Sequence, residues 1–310
     1  MYRDEAIENI PKLEDFISEL ESMYEKTRNE TDHFLLTKIY NKVTRVRTTY
    51  TKFIPPNVIN LLHAFRARNI DKLVEDITLV KTFNYPPKHL AKQGRLNIKG
   101  FPIFYCSDHV GTVLGEVRPE VGKSLFLTTW SIQSTRDAWL RIFLPQNCPE
   151  NNVWHEFAKA NYKAVLENSD KIWPGQRDQL NYIYEWINML FLREQYPYPL
   201  TSAIGYNTFY VPQKAMKNGI FVELRSDLLI YPSFVTDANS CNIVINPTFV
   251  DEFMTLKKVY ELSVKDTSKN GLKFELMNIG EVKNSIVHWR EATHYEKLND
   301  LKKRVRILNL

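Results

Sequence analysis

Cysteine is scarce in this sequence. Cys106, Cys148 and Cys241 are the full set, an odd number with no close pair. That pattern argues against a disulfide framework and against a thiolate zinc site, and a reducing, cytoplasmic setting fits it best. Long hydrophobic runs are missing as well. The longest, Tyr182 to Leu192, is broken by Glu185 and is too short to span a bilayer, so no membrane segment is expected. The amino terminus, Met1-Tyr2-Arg3-Asp4-Glu5, is acidic and lacks the apolar stretch of a secretion signal. His33, His63, His89, His109, His155, His288 and His294 show no metal-ligand spacing, so no metal is implied. There is no Gly-x-Ser-x-Gly elbow to hold a serine nucleophile.

Charge of one sign is not concentrated either. Lys and Arg number 41 against 36 Asp and Glu, a net of +5 spread along the chain. The dense run Lys302-Lys303-Arg304-Val305-Arg306 reads as a solvated tail, and nucleic acid, which needs a basic face, is disfavoured. What is present is core material. Hydrophobic residues make up 44% and aromatics 13% of 310 residues, enough for one large domain or two small ones.

Residues 4–50 carry apolar positions at three- and four-residue steps (Ile7, Ile10, Leu13, Phe16, Ile17, Leu20, Met23, then Phe34, Leu35, Ile39, Val43, Val46), which predicts a helical extension over 1–54. Phe53-Ile54-Pro55-Pro56 marks its end. In the remainder, 55–310, Leu61 to Arg68 reads as a strand and Asp71 to Val80 as a short helix. Ile103 to Cys106 is a strand, Ser107 to Val117 a helix capped by Ser107 or Asp108, and Leu125 to Ile132 a strand. A helical insertion is expected at about 135–204, with Trp139, Trp154, Trp173 and Trp186 as core residues. Tyr206 to Ala215 reads as an aromatic loop or short helix. Short apolar strands follow at Leu228 to Tyr231 and Asn242 to Asn246, then a hairpin from Lys257 to Met277.

The chemistry-bearing residues fall in one order. Arg66 and Arg68 alternate on a strand and so share a face; a guanidinium fork suits phosphate oxygens. Gly94-Arg95-Leu96-Asn97 with Gly100 and Pro102 forms a tight turn. Tyr105 sits at a strand end, and Glu116 follows eleven positions later on the flank of a helix, about 110° from its apolar stripe. Ser233 follows Tyr231-Pro232, and Asn246 ends the next strand.

This series resembles the RES domain, a family named for its arginine, glutamate and serine and distantly related to ADP-ribosyltransferases. The resemblance covers roughly residues 60–130 and 205–250. It implies an α+β fold with a split, mostly antiparallel sheet like that of ADP-ribosyltransferases. It also implies an enzyme that degrades NAD+ at the nicotinamide–ribose bond, as a glycohydrolase or a phosphorylase, often the toxin of a toxin–antitoxin pair. NAD+ would be a consumed substrate rather than a bound cofactor, water or inorganic phosphate the acceptor, and an antitoxin protein the partner. A homo-oligomer is compatible with it. On the same resemblance Glu116, Arg66 and Ser233 are catalytic, and Arg66, Arg68, Arg95, Tyr105 and Asn246 bind NAD+. Gln93 stands where members commonly carry a further glycine. The alternatives are transfer of ADP-ribose to a protein, a nucleic-acid binder, and a non-catalytic partner protein.

Overall fold

The computed structural model describes residues 51–172, 177–217, 220–268 and 271–297, with single positions between 15 and 26. The helical extension expected over 1–54 therefore lies almost wholly outside the described residues, as do Trp173 and the basic run at 302–306. The described chain runs β1 (Thr51–Ile54), α1 (Pro56–Ile59), β2 (His63–Asn69), β3 (Phe104–Cys106), α2 (Val110–Glu116), β4 (Ser124–Ile132) and β5 (Ala138–Ile142). It continues with α3 (His155–Ile172), α4 (Arg177–Arg193), α5 (Pro199–Phe209), β6 (Gln213–Lys217), β7 (Ile220–Leu224), β8 (Leu228–Pro232) and β9 (Cys241–Ile245). The last elements are α6 (Pro247–Phe253), β10 (Met254–Ser268), β11 (Gly271–Lys283) and β12 (Ile286–Glu291).

The class is α+β. One five-stranded sheet has the order β1-β5-β8-β9-β3, a second β12-β11-β10-β4-β2, and β6 pairs with β7. The pairings β2–β4, β4–β10, β10–β11, β11–β12, β3–β9 and β8–β9 are all antiparallel. Among the described residues no helix is long and apolar enough to cross a membrane.

Compactness divides the chain into two interleaved units, one built from segments 88–102 and 141–226 with the residues before 53, the other from 53–87, 103–140 and 227–310. In the first unit α5 is buried on nearly every side. Its Gly205 meets the turn at 94–97 closely enough that a β-carbon there would stand 2.6 Å from the Leu96 carbonyl carbon. Buried Glu194 caps the helix, accepting from Leu200 N and Thr201 N at 2.9 Å each. In the second unit the long sheet has two dressed faces. Ala67, Leu125, Leu127, Tyr260, Leu262 and Leu276 pack with Val110, Val113 and Leu114 of α2 on one. Phe83, Phe126 and Trp289 cover the other, with ring centroids about 6 Å apart. Each fully buried Leu or Phe among them contributes roughly 1.5–3 kcal/mol relative to exposure.

Three expectations are corrected. The segment 71–79 is a run of turns, not a helix. Asp71 accepts from Leu73 N and Asp76 from Thr78 N, both at 2.9 Å, so side-chain carboxylates take the amides a helix would need. The stretch expected to be a helical insertion opens with strand β5, whose five residues are all buried in the middle of a sheet. A short apolar run of that kind carries no period, and its neighbours decide its conformation. Neither Ser107 nor Asp108 caps α2; the cap position is His109, with no side-chain bond to the helix amides.

Candidate active site

Glu116 sits on the last turn of α2, exposed, while Val110, Val113 and Leu114 of the same helix are buried. A carboxylate there meets the negative end of the helix dipole, an arrangement that costs roughly 0.3–1 kcal/mol. Its partners give the reason for the placement. Ser233 Oγ donates to Glu116 Oε1 at 2.8 Å, and Asn242 Nδ2 donates to the same oxygen at 2.8 Å. Ser233 is fully buried and Asn242 is 7% exposed. Two donors on one oxygen fix the carboxylate in one orientation.

Strand register brings those donors together. Tyr231 is opposite Asn242 and Pro232 opposite Cys241, and Ser233 N donates to Ser240 O at 2.9 Å. Side chains at 231, 233 and 242 therefore share one face of the sheet. Tyr105, opposite Val244, lies on that face too and is half-buried. The turn between β8 and β9 is held by Thr236 and Ser240, whose hydroxyls are 2.8 Å apart, and Ser240 also bonds Thr112 of α2. Ser107 Oγ donates to Cys241 O at 2.6 Å. Gly115 leaves room for the turn: a β-carbon there would stand 2.5 Å from Val235 Cγ1. The helix carrying the carboxylate and the strands carrying its donors are thus locked at both ends.

Arg66, expected to offer a phosphate fork, is largely buried. Ala67 is opposite Leu127 and belongs to the core under α2, which turns Arg66, opposite Thr128, to the reverse face of the sheet. There it is 8% exposed, donates from Nη1 to Tyr105 O at 2.8 Å, and lies 5.0 Å from the Phe104 ring centroid. Burial, with the charge of Arg68, pushes its guanidinium down to about 10, so it is still a cation at neutral pH. It braces the backbone of Tyr105 from behind. Arg68 shares the face, as the alternation required, but its guanidinium is taken by Glu75 at 3.0 Å and by the Thr82 carbonyl. Asn246 accepts from Thr248 N at 3.0 Å and caps α6. Arg95 belongs to the first unit, where it donates to Glu194 O at 3.0 Å and stacks 4.5 Å from the Tyr198 ring centroid. The phosphate contact implied for it rests on the resemblance alone.

Of the residues expected to form a site, the structure joins Glu116 to Ser233 by a direct bond and sets Tyr105 on the same face. Ser233 is fully buried, and its hydroxyl is bonded to Glu116. Asn242 was not among the candidates. Its signal was there: it is the one strongly polar side chain in the apolar run Cys241-Asn242-Ile243-Val244-Ile245, and a buried amide needs a partner. Among the described residues no group of three or more His, Cys, Asp or Glu could hold a metal ion.

The RES domain profile matches residues 64–266, well over half of the chain and inclusive of Glu116, Ser233 and Asn242. The chain belongs to the RES domain family. No curated protein matches it. RES membership fits the order in which the arginines, Tyr105, Glu116 and Ser233 occur, and the tethered Glu116 gives that order a geometry.

Proposed function

We propose that this RES domain protein cleaves NAD+ between nicotinamide and ribose, with Glu116 as the group that meets the reacting sugar. The observation that carries the reading is the carboxylate itself: exposed, at a helix end that disfavours it, and aimed by two buried donors on one oxygen. In NAD+ the nicotinamide nitrogen is already cationic. When its bond to the ribose carbon breaks, the electron pair goes to the ring, which leaves neutral, and positive charge passes to the sugar. No acid is needed for the leaving group. What is needed is a fixed negative charge beside the forming cation, the requirement that glycosidases meet with carboxylates. Glu116 supplies it. Tyr105, on the same face, offers a half-buried ring and hydroxyl to the nicotinamide ribose.

Capture of the sugar by water makes the protein a glycohydrolase, and capture by inorganic phosphate makes it a phosphorylase. Transfer to a protein is the alternative that the same cleaving step permits. A toxin role, blocked by an antitoxin protein, and a sheet arrangement like that of ADP-ribosyltransferases follow from the family and belong to the same proposal. The purified protein, incubated with NAD+ with and without phosphate, should release nicotinamide. ADP-ribose or its 1-phosphate as co-product identifies the acceptor. Intact NAD+ after long incubation of well-folded protein rejects the proposal.

A further inference from the structure

We infer that Asn242 is a positioning residue for this reaction, acting through Glu116 and independently of Ser233; the inference rests on the cleavage reading above. Its amide lies 2.8 Å from Glu116 Oε1, on a strand whose other residues are all buried apolar or thiol side chains. Nothing about β9 as a strand asks for an amide there. Position 242 faces Tyr231 across the ladder, and an apolar side chain would serve that packing without any polar demand.

The two donors differ in kind. Ser233 has a rotating hydroxyl that can donate in several directions, whereas the Asn242 amide is planar and fixed by its side-chain rotamer. Because both meet Oε1, Oε2 is the oxygen left to face the substrate. Asn242 is the donor that holds Glu116 in that attitude without relying on the Ser233 hydroxyl. Its contribution is to orientation of the charge, so it acts on the transition state more than on ground-state binding.

The test uses the full chain and NAD+ cleavage, with Asn242→Ala and Asn242→Asp. The alanine variant is expected to lose about 10- to 100-fold in kcat while KM stays within about threefold. The aspartate variant keeps the shape but sets a second carboxylate against Glu116. Two such groups share one proton, with one macroscopic pKa lowered and the other raised. The singly protonated pair still offers a donor to Glu116. Its activity should therefore fall as pH rises through the upper pKa of the pair. A residue serving only the fold would lower the amount of active protein and leave kcat per folded molecule unmoved in Asn242→Ala. Unchanged kcat in Asn242→Ala overturns the inference while leaving NAD+ cleavage standing. An inactive unsubstituted protein overturns both. Where Asn242→Asp does not fold, the kcat-against-KM split of Asn242→Ala decides alone.

Discussion

Glu116→Gln isolates the charge from the geometry. Glutamine keeps a carbonyl oxygen where Ser233 and Asn242 donate at 2.8 Å, so the side chain stays aimed and only the negative charge goes. Two unit charges about 4 Å apart interact by about 4 kcal/mol at an effective dielectric near 20. Lost from the transition state, that is a rate reduction of about a thousandfold, since each 1.4 kcal/mol is tenfold. Stability moves far less. Two charge-assisted bonds become neutral ones, at about 1 kcal/mol each, and relief from the helix dipole returns up to about 1 kcal/mol. Nicotinamide release, followed by chromatography, reads the first quantity, and a urea melt reads the second. A glutamine variant that folds as well and cleaves NAD+ within tenfold of the parent would rule out the need for a negative charge at position 116.

Three further outcomes are expected. Arg66→Met frees the Tyr105 and Asn84 carbonyls that the guanidinium serves, and should lower unfolding stability by about 2 kcal/mol; unchanged stability with a raised KM would make Arg66 a substrate ligand instead. Gly205→Ala sets a helix-propensity gain of about 1 kcal/mol against overlap with the Leu96 backbone. The overlap wins because backbone cannot yield as a side chain can, and a loss of about 3 kcal/mol should appear in the melt. Burial pushes the Glu261 carboxyl up, but hydrogen bonds from Lys72, Asn278 and Ser124 outweigh it and hold the group below its ordinary value. Its stabilisation is then present above the unfolded carboxylate pKa and is lost as pH falls through the lower folded one. In Lys72→Ala the acid limb of a stability–pH profile should begin at higher pH, and an unmoved limb would discount the pair.

Strands β2, β4, β10 and β11 were legible, β2 because its alternation is two-sided; β12 was not. Ala67 goes one way and Arg66 and Arg68 the other, and β10 and β11 form the hairpin that the Lys257–Met277 pattern announces. What packs on each face was not legible, since alternation gives two faces without saying what covers each; Arg66 lies 8% exposed on the face opposite the α2 core. Strand β5 was hidden because Ala138-Trp139-Leu140-Arg141-Ile142 has no period, and only its sheet neighbours make it a strand. Glu116 and Ser233 were readable as motif residues but their bond was not, since it joins positions 117 apart. Asn242, 126 positions from Glu116, needed the register of β8 against β9 before its amide could be given a partner.

Those separations have a consequence for synthesis. A ribosome releases Glu116 long before Ser233 and Asn242, so the nascent chain carries its acidic group without the two donors that aim it. The carboxylate is aimed only once β9 has emerged and paired with β8. If the chain cleaves NAD+ as proposed, it is therefore inactive until β9 has paired with β8.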